Sequence, residues 1–283
     1  MRHLSDRIER ATGRRPVGYA PMSGGCIAQV HRVSMPGGGF LVAKVGTSAG
    51  NLDTEAYMLG LLKERSALPV PGVVHAEPDL LLIEFVEGSS RFSPRAQRHA
   101  ADLLADLHGR PGERFGLERD TRIGSLPQPN RPNERWTEFF RDLRLLHMAD
   151  ESARAGAISP VARRRIDALA RRIGEVIDEP EYPSLLHGDV WSGNVLAAGD
   201  RVTAFLDPAV YYGHAEIELA FITLFSTFGP PFFERYACSR PIRPGFFETR
   251  CHVYNLYPLL VHARLFGGNY GSRVEDTLEA IGF

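Results

Sequence analysis

The sequence predicts an α+β protein of two lobes, a small antiparallel β-sheet lobe over residues 1–88 and a larger, mainly helical lobe over residues 89–283. Three observations carry this expectation. Strand-like apolar stretches cluster before Gly88. After it, most apolar repeats take the spacing of an amphipathic helix. The length, 283 residues, is enough for two packed lobes that each bury a core.

Residues 2–11 read as a short opening helix, followed by strands near 17–20, 27–34 and 40–46. Pro36 and the run Gly37–Gly39 mark a hairpin turn between the last two. Asp53 is placed to cap a helix over 54–65, with Ala56, Leu59, Leu61 and Leu62 on its apolar face. LLLIEFVEG, residues 80–88, reads as a buried strand running into Gly88. In the second lobe, Ser93–Pro94 and Ser159–Pro160 each offer an N-cap followed by a proline at the first helical position. They open expected helices over 93–108 and 160–178, with another over 133–155 starting at Asn133. Strand signals return only at 194–197 and 202–206, around a turn at Gly199–Asp200. Helices are expected again near 215–228, 231–238, 246–265 and 272–281.

Bulk composition removes several function classes. Apolar content of 43% and charged content of 24% are ordinary for a globular protein, and the formal charge of −1 supplies no basic field for nucleic acid. No apolar run approaches the roughly 20 residues of a membrane span. The opening MRHLSDRIERATG is charged and amphipathic, unlike a signal peptide, so a cytoplasmic protein is expected. Cys26, Cys238 and Cys251 are odd in number and form no C-x-x-C pair, against a disulfide framework or a structural zinc site. Lys44 and Lys63 are the only lysines in an arginine-rich chain.

The chemistry concentrates in LLHGDVWSGNVL, residues 185–196. Transfer of a phosphoryl group from a nucleotide needs a lysine on the phosphates, Asp and Asn to hold a metal, and an Asp to receive the acceptor's proton. Lys44 lies in the strand FLVAKV, and Glu55 stands early in the next helix, placed to pair with it. Asp189 and Asn194 have the Asp-x-x-x-x-Asn spacing of a protein-kinase catalytic loop. Asp207 follows the next hairpin, in AFLDPA, where a second metal-holding Asp is expected. Singly, each has a plain alternative: a snorkelling edge lysine, a first-turn carboxylate, a chance spacing, a turn. Jointly, in this order and on these elements, they point to phosphoryl transfer. Ser23, Gly24 and Gly25, between the first two strands, are the candidate phosphate cradle, with a simple hairpin turn as the alternative. Cys26 beside them is a candidate for oxidation or intermolecular pairing.

The chain resembles the fructosamine kinases (ketosamine-3-kinases), relatives of aminoglycoside and choline phosphotransferases with a protein-kinase-like fold. The resemblance is carried by HGDVWSGN at 187–194, DPAVYYGHAEIELA at 207–220, IGSLPQPN at 123–130 and LFGGNY at 265–270. It implies ATP and Mg2+ as cofactors and a small-molecule ketosamine as substrate, with glycated protein a further candidate. The reaction would be phosphorylation of the 3-hydroxyl. It makes Asp189 the base, Asn194 and Asp207 the metal holders, and Lys44 the phosphate binder oriented by Glu55. The 84–86 backbone, with Glu84 and Val86, would meet the adenine. Trp191, Tyr211 and His214 are the candidates for a sugar-facing wall, His187 is expected to be structural, and Glu218 is expected to brace the loop. Alternatives are a kinase of another aminosugar or an aminoglycoside, and a nucleotide-binding pseudokinase.

Overall fold

Side-chain alternation along two strands builds the N-terminal lobe. The computed structural model describes residues 2–22, 28–47 and 51–283. Helix α1 (Arg2–Thr12) leads into β1 (Gly18–Pro21), β2 (Gln29–Ser34) and β3 (Phe40–Val45). Helix α2 (Leu52–Arg65), β4 (Val73–Glu77) and β5 (Leu80–Glu84) complete an antiparallel sheet of order β1-β2-β3-β5-β4. Ala43, Leu80 and Leu82 point to one face, where Leu4 and Ile8 of α1 cover them. Val42, Leu81 and Ile83 point to the other, against Leu52 and Leu59 of α2. A period of two residues therefore places Lys44, like Val42, on the α2 side of the sheet.

Two expectations for this lobe change. Helix α2 starts at Leu52, not 54, and the N-cap position belongs to Asn51 in a left-handed conformation with no side-chain cap, so Asp53 lies inside the first turn. Strand β4 was not expected. It is an exposed edge strand following Pro69 and Pro71, with a register shift between Val73 and His75, and it lacks the alternation that marks a half-buried strand.

The C-terminal lobe begins with α3 (Pro94–His108), whose first turn is capped by Ser93 Oγ accepting from the Ala96 amide. A short hairpin, β6 (Thr121–Ile123) and β7 (Leu126–Gln128), turns at Gly124 with φ +55°. Then come α4 (Trp136–Phe140), a π-helical stretch Arg141–Leu146 and α5 (His147–Arg154). Asn133 does not open this helix. The Trp136 and Thr137 amides are instead received by the distant Glu179 carboxylate at 2.7 and 3.1 Å. Helix α6 (Pro160–Arg171) carries the expected Ser159 cap, accepting from Ala162, and breaks before a short α7 (Ile173–Val176).

Strand β8 (Ser184–Leu186) pairs antiparallel with β11 (Tyr211–Gly213), and β9 (Val195–Ala198) with β10 (Arg201–Phe205). The chain closes with α8 (Ala215–Leu224), α9 (Pro230–Ser239), a π-helical turn Phe246–Arg250, α10 (Cys251–Phe266) and α11 (Tyr270–Ala280). The hairpin 121–128 and the β8–β11 pair were not anticipated: each strand is three residues long, too short to show a period. Helix α10 is buried on nearly all sides and forms the spine of the lobe. Met58, Leu61 and Leu62 of α2, with Leu68, join this large core, so α2 packs into both lobes. Each such side chain contributes about 1.5–3 kcal/mol of burial. No helix among the described residues is long and apolar enough to cross a membrane.

Candidate active site

Three elements distant in sequence meet at one ammonium group. Lys44 on β3 is buried, its Nζ donates to Glu55 Oε1 at 2.6 Å, and it also bonds the Asp207 carboxylate. Glu55 reaches it because the first turn of α2 crosses the face to which Lys44 points. Asp207 reaches it from beyond β10, held at φ +51°, a left-handed conformation that Asp tolerates better than most residues. Burial alone would lower the Lys44 pKa, but Glu55 and Asp207 outweigh it and raise it, so the ammonium stays charged. Burial pushes Glu55 up, to about 7, with Asp207 adding to the effect and Lys44 opposing it.

The loop after β8 places the second group. Gly188 adopts φ +87°, and a Cβ there would lie 2.1 Å from the Ala209 carbonyl oxygen, so only glycine fits. Its amide donates to Glu218 Oε1 at 2.5 Å, and the His187 amide donates to Oε2 at 3.3 Å. Glu218 is fixed in turn by His108 Nε2 at 2.9 Å, and His108 Nδ1 meets the Tyr236 hydroxyl at 2.7 Å. His187 is buried and its pKa is lowered by that burial. Its Nδ1 accepts the Asp189 amide at 3.3 Å, and its carbonyl accepts the Ala209 amide at 2.8 Å.

Asp189 follows directly. Asn194 Nδ2 donates to Asp189 Oδ2 at 2.8 Å and to its carbonyl at 3.1 Å, which turns the carboxylate and leaves Oδ1 without a partner among the described residues. Burial, reinforced by the Asp207 charge and opposed by the Asn194 bond, pushes the Asp189 carboxyl up to about 8. Asn194 Oδ1 and the Asp207 carboxylate are hard oxygen donors, the set that Mg2+ favours. The described residues contain no group of three or more His, Cys, Asp or Glu able to hold a metal, and a magnesium shared with substrate phosphates needs none.

The remaining expected residues divide. Trp191 is 41% exposed in the same loop, its ring lying where a Cβ on Gly193 would fall. Tyr211 and His214 are both largely buried, and each borders a different hollow, Tyr211 one shared with Gly188 and His214 one shared with Ser184. Tyr211 is 2% exposed, stacked on Phe139 and covered by the Arg144 guanidinium at 4.0 Å. His214 caps α8, accepting the Glu216 amide at 3.1 Å, at the end of the β8–β11 pair away from Asp189. Glu84 ends β5 and accepts the Gly72 amide at 2.9 Å, and Val86 lies in the half-buried connector between lobes. Ser23, Gly24, Gly25 and Cys26 lie outside the described residues.

A buried polar network not read from the sequence supports the loop from below. Gln128 Nε2 donates to the Ala209 carbonyl at 3.0 Å, and its Oε1 accepts the Tyr257 hydroxyl at 2.8 Å. Arg144, fully buried and without a carboxylate partner among the described residues, donates to Asn130 Oδ1 and the Pro129 carbonyl, both at 2.7 Å. An arginine one turn beyond Phe140 on an apolar helix face was the available signal. The IGSLPQPN and DPAVYYG segments thus meet beneath the catalytic loop.

Comparisons with known proteins agree with this geometry. The profile of the fructosamine kinase family matches residues 1–282. The chloroplastic protein-ribulosamine 3-kinase of Arabidopsis thaliana is 33% identical over 271 residues, covering 91% of this chain and 80% of that one. A ketoamine kinase assigned in Enterococcus faecium is 32% identical over 266 residues, covering 92% and 93%. A Thermobifida fusca structure assigned as a fructosamine-3-kinase superposes with a TM-score of 0.89 at 31% identity, covering 99% of each chain. The macrolide 2'-phosphotransferase of Brachybacterium faecium, 18% identical with a TM-score of 0.65 over 100% of this chain and 98% of that one, shares the protein-kinase-like fold. The chain belongs to the fructosamine kinase family and is a kinase that transfers phosphate to a hydroxyl group.

Proposed function

We propose that this kinase uses Mg-ATP to phosphorylate the 3-hydroxyl of a ketosamine, with the lobe of residues 1–88 holding the nucleotide and the lobe of residues 89–283 holding the acceptor. The observation that carries the proposal is the single connected set Lys44–Glu55–Asp207 beside Asp189–Asn194, which pairs a phosphate-binding ammonium with an oriented, half-buried carboxyl. Lys44 binds nucleotide phosphate, and Glu55 keeps its ammonium directed. Glu84 and Val86 meet the adenine along the backbone of the connector, and Ser23, Gly24 and Gly25 cover the phosphates. Asn194 and Asp207 hold Mg2+, which when bound neutralises charge on the phosphate oxygens.

Asp189 Oδ1 receives the proton of the acceptor hydroxyl as its oxygen bonds to the terminal phosphorus. The bond from that phosphorus to the bridging oxygen breaks, and ADP leaves. A base that titrates near the working pH suits this role and contributes about 10²–10⁴-fold in rate. Trp191, exposed in the same loop, packs on the sugar. The ketosamine phosphate would then fall apart and free the amine, which is deglycation. The Arabidopsis relative, named for protein ribulosamines, makes protein-bound adducts candidate substrates.

The test is ADP release with Mg-ATP and a fructosyl amino acid, with phosphorus–proton coupling used to locate the phosphate on the product. Release that needs the fructosamine and disappears in Asp189→Ala, with phosphate on carbon 3, is the expected result. Release only with aminosugars or aminoglycosides, or full activity in Asp189→Ala, overturns the assignment.

A further inference from the structure

A second concave site lies at the opposite end of β8 from the catalytic loop. Tyr182, Ser184, His214, Tyr236, Arg240 and Arg243 border a groove with a volume of about 280 Å³. In the strand pairing Ser184 faces Gly213, so the groove opens where β8 begins, whereas Asp189 follows where β8 ends. Five residues of extended chain separate the two places by up to about 16 Å. None of Lys44, Glu55, Asp189, Asn194 or Asp207 borders it.

Its chemistry is donor-rich. Arg240, half-buried, makes no ion pair among the described residues. It donates to the Tyr182 hydroxyl at 2.7 Å, which holds the guanidinium at the groove without cancelling its charge. His214 is almost wholly buried, and its Nδ1 is taken by the Glu216 amide at 3.1 Å, so its proton sits on Nε2. That Nε2 has no hydrogen-bond partner among the described residues, its closest carboxylate oxygen being Glu216 Oε2 at 4.0 Å. Glu216 is itself neutralised by Arg250 through two bonds of 2.7 Å. Asp178 lies 3.6 Å from Arg250 and 4.0 Å from Arg243, and Glu181 stands exposed at the rim. The field at His214 is positive: burial first, then Arg250 and Arg243, push its pKa down to about 3.

We infer that this groove binds a compact oxyanion of the phosphate-ester class, independently of the phosphoryl-transfer site. A guanidinium fork, an imidazole N–H and hydroxyls from serine and tyrosine are the donors that tetrahedral oxyanions take when bound in proteins. The site goes beyond the proposed reaction and does not depend on it. It is also joined to the active site, because Tyr236, which borders the groove, holds His108, and His108 holds the Glu218 that receives the Gly188 amide.

The test is titration calorimetry on the full chain saturated with a non-hydrolysable ATP analogue, so that the transfer site is already filled. Inorganic phosphate and a hexose phosphate are the two probes. Saturable one-to-one binding of either is expected, and which one binds more tightly tells whether free phosphate or a phosphorylated sugar is the natural occupant. Arg240→Gln should weaken it at least tenfold, while Asp189→Asn should leave it unchanged. Arg243→Gln, at a side chain 57% exposed whose ion pair with Asp178 spans 4.0 Å, should weaken it several-fold and serves if Arg240→Gln does not fold. No saturable binding of either probe, or equal affinity in wild type and the foldable arginine variants, overturns the site.

Discussion

Asp207 and Asp189 stand side by side under the same cleft, yet their surroundings are opposite. Asp207 bonds a lysine ammonium that it shares with Glu55, so a cation from the small lobe faces it directly. Asp189 has an amide for a partner and no cation among the described residues, and burial with the Asp207 charge raises it to about 8. The contrast shows how one fold gives two identical side chains different surroundings. A carboxylate already bonded to a cation is suited to bind metal and phosphates beside it. An uncompensated one is suited to take up a proton and give it back.

The contrast can be broken most forcefully at Asp189. Asp189→Asn should lower turnover about 10³-fold while nucleotide affinity, measured by calorimetry, stays within a factor of about three. A comparable loss of nucleotide binding would mean that the two carboxylates share one role. Glu55→Gln keeps a hydrogen bond but removes a charge beside Lys44. Apparent affinity for Mg-ATP should fall about tenfold, worth about 1.4 kcal/mol, and unchanged affinity would detach Glu55 from the phosphate site.

A third measurement sharpens the comparison through stability. The folded-state pKa of Asp189 lies above its ordinary value, so the neutral form favours the fold at low pH, and that advantage is lost as pH rises from 3.8 toward about 8. In metal-free protein, Asp189→Asn should therefore melt higher than wild type at pH 8, with the gap closing toward pH 5. A gap that is absent, or that widens toward acid, would contradict the uncompensated environment. The smallest effect belongs to the outer rim of α2, where Tyr57 bonds Glu118 across the lobes. Tyr57→Phe should cost under about 1 kcal/mol in denaturant unfolding and leave turnover intact.

What the sequence made legible follows these energetic scales. The cluster that the fold brings together was readable because Lys44, Glu55, Asp189, Asn194 and Asp207 lie on elements whose order and spacing are local properties. The helix starts at Ser93 and Ser159 were readable for the same reason: a cap and a proline act within four residues. Partners that arrive from far along the chain were hidden. Glu179 caps a helix some forty residues earlier, and this displaced the expected start from Asn133 to Trp136. Tyr211 sits in a motif of recognisable composition, but Arg144, far along the chain, covers its ring, whereas the α8 cap that His214 makes with the Glu216 amide is a local one two residues on. The three-residue strands could not display a period at all.

Helix α2 has one further consequence. Its side chains fill both cores, Leu52 and Leu59 in the small lobe and Met58, Leu61 and Leu62 in the large one, while Arg119 stacks on Tyr57 at 4.6 Å from outside. To swing this helix outward and part Glu55 from Lys44 would open two cavities at once. The contact between Lys44 and Glu55 is therefore held by packing in two cores as well as by the ion pair itself.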